Sequence, residues 1–336
     1  MAICIWGAGA IGGTIGAYLA RAGHDILLVD NDSNHVNAIN SDGLKIIGPV
    51  EEFSVSVKAT IPKNVTGKFD QIFLATKTQN TQEAIAAIKP HLTEDGYVLS
   101  AQNGLNELII QKVVGKERTV GALVNFGADY HAPGQILFGG RGAVVLGELD
   151  GAITDRLKEL HSTMLDFEEN STTTDDILGS LWGKEVFGAI VFITALSNES
   201  VADSLADTTY RSVYVEAARE ILMLAEKLGA RPKGFDAFDP EVFRPWVDAS
   251  AVDASIDALV AMNRTSGKSH SGIWRDLAVR KRRTEVTMFD VILEEGRRLS
   301  VPLRFTQHWT TMIHEIEEGK RSLDVANLDE LKAKLS

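Results

Sequence analysis

The sequence contains little cysteine and relatively little positive charge. Cys4 is the one cysteine among 336 residues, so no disulfide can form within the chain and no cysteine cluster can hold a metal. The 34 lysines and arginines are outnumbered by 46 aspartates and glutamates, which gives a formal net charge of -12. Nucleic acids are bound through basic surfaces, so this charge balance disfavours a nonspecific nucleic-acid partner. We predict neither a metal site nor a nucleic-acid partner.

Long apolar runs are also scarce. No charged-then-apolar leader is visible before the first strand-like run, and no apolar run reaches the roughly 18 residues of a membrane span. We therefore expect a cytoplasmic protein without a membrane partner. The proportions of 44% hydrophobic and 24% charged residues are typical of globular proteins, and the length allows two domains.

The most informative segment lies near the start of the chain. An apolar run at 2–6 leads into Gly7-Ala8-Gly9-Ala10-Ile11-Gly12-Gly13 and then into a helix-like stretch. In dinucleotide-binding units, one glycine permits a tight turn, one admits the pyrophosphate, and one lets the helix pack on the strand. The helix N-terminus offers unpaired N–H groups to the phosphates. We predict cofactor contacts from Gly7, Gly9, Ala10, Ile11 and Gly12.

A second strand-like run, 25–29, ends at Asp30. A carboxylate about 20 residues beyond the glycines can accept hydrogen bonds from an adenosine ribose, whereas it repels a ribose phosphate. The next residues, 31–33, add no positive charge. The segment therefore predicts NAD(H) in preference to NADP(H), with Asp30 on the ribose. The alternative, a solvated aspartate that closes a strand, would fit Asp32 as well as Asp30.

Strand-like and helix-like segments alternate through the first half of the chain, which predicts parallel βαβ units. Three shorter strand-like runs follow and predict antiparallel members at the end of the sheet: 120–126, 135–138 and 143–147. From about residue 175 the helical period dominates, including one long segment at 273–299. We predict an α/β protein with an N-terminal Rossmann-type doubly wound sheet (1–170) and a C-terminal all-helical domain (171–336). The helical domain offers a surface for a homodimer.

Two polar residues follow strand-like runs of the first domain. Lys77 comes after 72–76, and Asn103 comes after 98–102. Ligands of open α/β sheets lie beyond the carboxyl ends of the strands, which makes both residues candidates for the site. Each also has an ordinary interpretation, as a surface lysine and as a turn asparagine that tolerates left-handed backbone.

Lys184 stands in a helix-like stretch, 181–193, that is apolar on nearly every face. Burial and the early position in the helix both disfavour the charged amine, which would then exchange a proton with a reacting oxygen readily. The alternative is that Lys184 extends to solvent.

Glu285 fits one face of a predicted helix with Met288, Phe289 and Ile292. It either marks the end of the apolar stripe, pairs with Lys281, or reaches the active site, where it would orient Lys184 or bind substrate. The basic run 280–283 is either a solvated helix face or a source of positive potential for an acidic substrate.

Taken together, these segments resemble the ketopantoate reductase (2-dehydropantoate 2-reductase) family over nearly the whole chain. The glycine motif is generic, but its combination with four further features is fairly specific: Lys77, Gln102-Asn103-Gly104, Leu181-Trp182-Gly183-Lys184 and Arg283-Thr284-Glu285. The resemblance implies a Rossmann domain, a helical domain and an active site in the cleft between them.

The resemblance also implies roles for individual residues. Lys184 would be the general acid that protonates the substrate carbonyl oxygen during hydride transfer. Lys77 and Asn103 would line the cofactor and substrate side, and Glu285 would hold the substrate. The substrate carboxylate would be bound by Ser269 or Ser271, and the sequence leaves the choice between them open.

This sequence departs from the family pattern at two kinds of position. Gly188 and Phe192 stand where members typically carry asparagines, one and two turns after the lysine, and Asp30 stands near where NADPH-using members place arginine. Sites that hydrogen-bond a substrate hydroxyl discriminate strongly, so the loss of two amides predicts a changed substrate.

We therefore expect an NAD-dependent 2-oxo acid reductase, or 2-hydroxy acid dehydrogenase, that acts on a small anionic substrate. One alternative is a β-hydroxyacid or opine-type dehydrogenase. The other is a sensor that binds NAD(H) without turnover. Charged residues on apolar faces, such as Lys184 and Glu285, cost free energy on burial, and a sensor would have no use for them.

Overall fold

The computed structural model describes residues 2–265 and 268–335. It divides the chain into two compact units, Met1–Ile177 and Leu178–Ser336. The polar segment 168–174, near which the sequence places the domain boundary, lies inside the first unit. Its residues Thr172–Thr173 form an edge strand beside Val145 and Leu146.

The first unit is an α/β structure with two sheets. The strands are β1 Ile3–Trp6, β2 Ile26–Val29, β3 Leu44–Ile47, β4 Phe53–Val55, β5 Lys58–Thr60, β6 Phe69–Leu74, β7 Leu92–Ser100, β8 Thr119–Val124, β9 Gly127–Ala132, β10 Gln135–Gly140, β11 Val144–Glu148 and β12 Thr172–Thr173. The large sheet has eight strands in the order β12-β11-β8-β7-β6-β1-β2-β5, and the second has four in the order β4-β3-β10-β9. The helices are α1 Ala10–Arg21, α2 Ser33–Asp42, α3 Thr81–Ile88, α4 Glu107–Val114 and α5 Asp155–Leu165.

The centre of the large sheet is parallel and fully buried. Ile3 of β1 is paired with Ile26 of β2 on one side and with Gln71 of β6 on the other. The side chains of Ile5, Leu28 and Phe73 are completely excluded from solvent. Near-continuous apolar strands of this kind are expected where helices cover both faces of a sheet. The predicted Rossmann-type sheet is confirmed.

Two of the three short strand-like runs form an antiparallel pair in this sheet, as predicted. The run 143–147 forms β11, which pairs antiparallel with β8. The run 120–126 forms β8, which is antiparallel to β11 on one side and parallel to β7 on the other. The run 135–138 belongs to β10 in the second sheet, because a tight hairpin turns β10 back onto β9 and its other edge pairs with β3.

The second unit is helical, as predicted. Apart from an isolated bridge between Phe235 and Phe238, its described residues form helices and connecting loops. The helices are α6 Ile177–Thr194, which begins at the last residue of the first unit, α7 Val201–Ala206, α8 Arg211–Lys227, α9 Ala249–Thr265, α10 Gly272–Trp274, α11 Met288–Arg298, α12 Arg304–Glu317 and α13 Ala326–Ala333.

The prediction of one helix over 273–299 is wrong. A π-helical turn, Arg275–Val279, follows α10, and the next helix starts only at Met288. Lys281 adopts a left-handed backbone conformation with φ 50°, which a regular helix of L-residues excludes. The helical period of the side chains continues through this break, so the sequence pattern does not reveal it.

Helix α6 is long and predominantly apolar. It has 18 residues and a mean hydropathy of 1.4, enough to cross a membrane by length and composition alone, but 78% of it is buried inside the fold. The core helix of a soluble protein passes the same test, so this helix is weak evidence for a membrane span.

Candidate active site

The three motif glycines at the junction of β1 and α1 differ in what an added side chain would meet. Gly7 has φ 103°, and a side chain there would also come within 2.8 Å of the Ala75 carbonyl carbon. A Cβ at Gly12 would lie 2.1 Å from the Gly7 oxygen, so this position admits no side chain. A Cβ at Gly9 would meet nothing within 4 Å. The space beside Gly9 is therefore open for a ligand, as in dinucleotide-binding turns.

The start of α1 offers backbone donors to that open space. Gly9 is the N-cap and has no side chain to cap the helix. The N–H of Gly13 donates to the Gly9 oxygen at 2.8 Å, so Ala10, Ile11 and Gly12 precede the first intrahelical hydrogen bond. N–H groups in this position, together with the helix dipole, bind phosphate anions. These residues fit the pyrophosphate of a dinucleotide.

Asp30 at the end of β2 is tied to the glycine turn. Its Oδ2 accepts a hydrogen bond from the Ala8 N–H at 3.0 Å, and its Oδ1 accepts one from the Asp32 N–H at 2.9 Å. Each carboxylate oxygen has further lone pairs, so the group can also accept from ribose hydroxyls. The sequence gives no sign of the first of these bonds, because its partners are 22 residues apart.

Asp32 has a different role from Asp30. It is the N-cap of α2, where its Oδ1 accepts from the Asn34 N–H at 2.9 Å. Its Oδ2 accepts from the Tyr130 hydroxyl at 3.2 Å. Burial, together with the Asp32 charge, raises the pKa of Tyr130 to about 12. This phenol therefore stays protonated and remains a donor to Asp32.

The segments that carry Lys77 and Asn103 are joined by a network of polar side chains. The Asn103 carbonyl accepts hydrogen bonds from the Thr78 hydroxyl at 2.7 Å and from the Asn106 amide at 2.6 Å. Gln102 donates to the Thr76 carbonyl at 2.9 Å. Since these bonds join the ends of β6 and β7, they hold the two segments side by side. Lys77 and Asn103 are both half-buried, as expected for residues beside a ligand site.

The sequence analysis missed three members of this network, Thr78, Thr81 and Asn106, and noted a fourth, Gln102, only as part of the family motif. Asn106 is 1% exposed and also accepts from the buried Thr81 hydroxyl at 2.9 Å. Buried polar groups are costly unless they are paired, so such residues indicate a fixed geometry. Apart from the bond between Asn106 and Asn103, their hydrogen bonds join residues 21 to 28 positions apart, and the local sequence shows no pattern for such pairing.

Lys184 lies in the first half of α6 and is half-buried, less than its apolar neighbours suggest. The preceding residue, Gly183, is packed so closely on another segment that a Cβ would lie 1.9 Å from the Lys233 oxygen. The Lys233 N–H also donates to the Gly179 oxygen at 2.9 Å. These contacts fix this part of α6, and hence the Lys184 backbone, against the rest of the helical unit.

Glu285 lies in the turn before α11, and the prediction that it shares a helix face with Met288 and Phe289 is wrong. The turn is held by Glu317 at the end of α12, whose side chain is 1% exposed. Glu317 Oε1 accepts from the Thr284 N–H at 2.6 Å and from the Thr284 hydroxyl at 2.8 Å. The half-buried Glu285 is thereby fixed outside the helix. Glu317 is a further residue that the sequence analysis missed.

The two candidate serines have different partners. Ser271 is half-buried and caps α10, where its Oγ accepts from the Trp274 N–H at 3.2 Å. Ser269 is exposed, and its Oγ lies 2.8 Å from His270 Nδ1. His270 Nε2 lies 3.3 Å from the Asn198 carbonyl, which can only accept. In the neutral imidazole Nδ1 is then the acceptor, and the Ser269 hydroxyl donates its hydrogen to Nδ1.

The basic run 280–283 is not a helix face. Arg280 and Arg282 both contact Asp276 Oδ1 at 3.0 Å, and that carboxylate is 1% exposed. Arg283 lies 3.8 Å from Glu317. Internal carboxylates thus balance much of the positive charge of this segment, which leaves less of it for a ligand.

Two of the departures from the family pattern, Gly188 and Phe192, lie on one side of α6. Phe192 is 3% exposed and packs against Phe289 and Trp309, with ring centroids 5.2 and 6.0 Å apart. A Cβ at Gly188 would lie 3.6 Å from Phe289 Cζ and 3.8 Å from Met288 Cε. On this side, the turns that follow Lys184 therefore face apolar groups.

Comparison with known proteins identifies the family. A model described as ketopantoate reductase PanE/ApbA matches residues 3–151. The 2-dehydropantoate 2-reductase of Mesorhizobium japonicum is 30% identical over 260 residues, which cover 70% of this chain and 79% of that protein. The chain belongs to the ketopantoate reductase family. The enzyme of the same name from Pyrococcus horikoshii is 29% identical over 91% of this chain and 94% of its own length.

Solved structures share the fold over nearly the whole chain. A D-mandelate dehydrogenase with NADH and anilino(oxo)acetate has a TM-score of 0.83 at 24% identity, covering 95% of this chain and 99% of that one. A PanE/ApbA family ketopantoate reductase from Ralstonia eutropha has a TM-score of 0.79 at 24% identity, with the same coverage. Membership in this family makes the chain an NAD(P)-dependent oxidoreductase, which confirms the predicted reaction class over the binding-protein alternative.

Proposed function

We propose that this enzyme reduces small 2-oxo acids with apolar side chains and uses NADH in preference to NADPH. The observation that carries the substrate class is the apolar lining beyond Lys184, where Gly188 faces Phe289 and Met288 and Phe192 is buried. No amide side chain stands at either position to pair with a substrate hydroxyl. The D-mandelate dehydrogenase of similar fold, whose named substrate is aromatic, agrees with this class.

In this proposal the chain's own residues bind the acid and supply the proton. When bound, the nicotinamide supplies a hydride to the carbonyl carbon. Lys184 Nζ donates a proton to the carbonyl oxygen, and Glu285 accepts a hydrogen bond from the substrate. Of the two serines we favour Ser271 for the substrate carboxylate, because its Oγ accepts from Trp274 and keeps its own hydrogen to donate.

The substrate class is tested by comparing kcat/KM for phenylglyoxylate, 2-oxoisovalerate and ketopantoate. We expect the two apolar acids to exceed ketopantoate by about tenfold or more, because an unpaired hydroxyl costs roughly 1–3 kcal/mol on burial. Gly188→Asn should reduce the ratio of kcat/KM between the apolar acids and ketopantoate, since the new amide can form a hydrogen bond with the ketopantoate hydroxyl. A wild-type preference for ketopantoate would contradict the proposed substrate class while leaving the reaction type intact.

The cofactor preference rests on the charge of Asp30, so the NADH to NADPH ratio of kcat/KM should exceed about ten in the wild type. Asp30→Asn removes the charge but keeps an oxygen for the Ala8 N–H, and should improve use of NADPH by about fivefold or more. Asp32→Asn is the matched control, because that residue caps α2. Faster turnover with NADPH in the wild type would refute this preference.

Three further expectations belong to the same proposal. The substrate is a small anion, the protein acts in the cytoplasm, and the helical unit supplies a homodimer interface. Lys77 and Asn103, held by the network at the ends of β6 and β7, contact the cofactor, and Asn103 also contacts the substrate.

A further inference from the structure

His35 is a fully buried imidazole behind the glycine turn. It lies in α2, its Nε2 is 2.9 Å from the Ala8 oxygen, and its Nδ1 is 2.9 Å from the Gly134 nitrogen. A backbone N–H can only donate, so Nδ1 accepts the hydrogen bond from Gly134. Nε2 therefore carries the ring hydrogen and donates it to the Ala8 carbonyl. Both polar atoms of a neutral imidazole are satisfied in one tautomer.

The hydrogen bond from His35 completes a clamp on the Ala8 residue. The Ala8 N–H donates to Asp30 Oδ2 at 3.0 Å, and the Ala8 carbonyl accepts from His35 at 2.9 Å. Ala8 stands between Gly7 and Gly9, the two residues of the turn with the greatest backbone freedom. Fixing both polar groups of the residue between them restricts the turn before any ligand arrives.

We propose that His35 is a positioning residue for the dinucleotide pyrophosphate, acting through Ala8. By holding the Ala8 carbonyl, it aims the unpaired N–H groups at the start of α1 toward a common point. The proposal rests on the cofactor assignment made above. No motif contains His35, and its partners are 27 and 99 residues away in the chain.

A positioning role has a different signature from a structural one. If His35 only joined α2 to the hairpin at Gly134, its loss would lower the affinity of the unit for all its ligands by a similar factor. If His35 orients the turn, its loss lowers the affinity for ligands that carry a pyrophosphate. The affinity for adenosine, which has no pyrophosphate, is then unchanged. The chemical step should change little once the cofactor is saturating, so KM for NADH rises while kcat holds.

The test compares His35→Leu, which removes both hydrogen bonds, with His35→Gln, which offers one donor and one acceptor. For His35→Leu we expect the affinities for NADH and ADP to fall by about tenfold or more, with adenosine affinity and kcat within about threefold of wild type. His35→Gln should recover most of the loss. His161→Leu is the matched control, because its half-buried ring bonds the Ser171 carbonyl at 2.8 Å, away from the turn.

Several outcomes would overturn the proposal. If His35→Leu loses affinity for ADP and for adenosine by the same factor, the role of His35 is only structural. If the affinity of this variant for ADP is unchanged, His35 has no role in positioning the turn. A wild type that binds neither NADH nor ADP would refute the cofactor assignment and this proposal with it. If His35→Leu does not fold, nitrogen-15 NMR of the wild type decides: a hydrogen on Nε2 supports the clamp, and a hydrogen on Nδ1 refutes it.

Discussion

Replacing Lys184 with alanine should lower kcat for 2-oxo acid reduction by about 10²- to 10⁴-fold, the usual contribution of a positioned general acid. Without the amine, residue 184 can no longer protonate the carbonyl oxygen as negative charge develops on it. The affinity for NADH should change by no more than about twofold, because the glycine turn lies in the other unit of the chain. Stopped-flow measurement of NADH oxidation separates the chemical step from binding.

Two further variants show whether the effect belongs to the proton. Lys184→Arg keeps the positive charge but cannot release a proton near neutral pH, so it should be nearly as slow as the alanine variant. Small primary amines added to Lys184→Ala should restore part of the rate. Lys227→Ala, at the exposed end of α8, is the control and should retain wild-type turnover. Full activity of Lys184→Ala would remove Lys184 from the mechanism.

The second large effect is expected at Gly12. A Cβ there would lie 2.1 Å from the Gly7 oxygen and 2.9 Å from both Ala75 Cβ and Ile5 Cγ2. Gly12→Ala must therefore displace α1 from the strands beneath it. We expect a loss of about 3 kcal/mol in unfolding free energy, at the upper end of overpacking costs, and a fall of about 100-fold or more in NADH affinity. Thermal or urea unfolding and a fluorescence titration measure the two quantities.

Gly9→Ala is the matched comparison within the same turn. Gly9 has φ -70° and nothing within 4 Å of a Cβ, so alanine fits the free protein and should leave its stability within about 1 kcal/mol. The same methyl group would occupy the space that the pyrophosphate approaches, and NADH affinity should still fall by about tenfold. If Gly9→Ala bound NADH normally, the pyrophosphate would have to lie elsewhere.

The strand, glycine turn and helix at residues 3–21 could be predicted because their determinants are local. A buried apolar strand, a glycine with φ 103° and a helix whose first turn lacks side-chain caps are all encoded within a few neighbouring residues. The same is true of the long helices of the second unit, whose apolar residues repeat with the helical period. The resemblance to one enzyme family could be recognised for the same reason, since it depends on short motifs in a fixed order.

The wrong predictions concern segments whose backbone conformation or strand pairing is determined by residues far away in the chain. The helical period continues through Glu285, yet the buried Glu317 carboxylate, 33 residues away, takes the Thr284 N–H and holds the segment outside a helix. The run at 135–138 is a normal strand by composition, but its pairing with β3 places it in a second sheet. Periodicity reports which face of an element is apolar and carries no information on its partner.

By itself, the sequence determined the α/β class, the dinucleotide turn, the helical second half and the family, because each is encoded in short-range patterns of side-chain size, polarity and glycine. The tertiary structure alone decided that Asp30 and His35 hold Ala8 from two sides and that Glu317 fixes the Glu285 turn. It also decided that the turns after Lys184 face aromatic rings. These features are hydrogen bonds and contacts between residues far apart in the chain, and folding must bring them together before they exist.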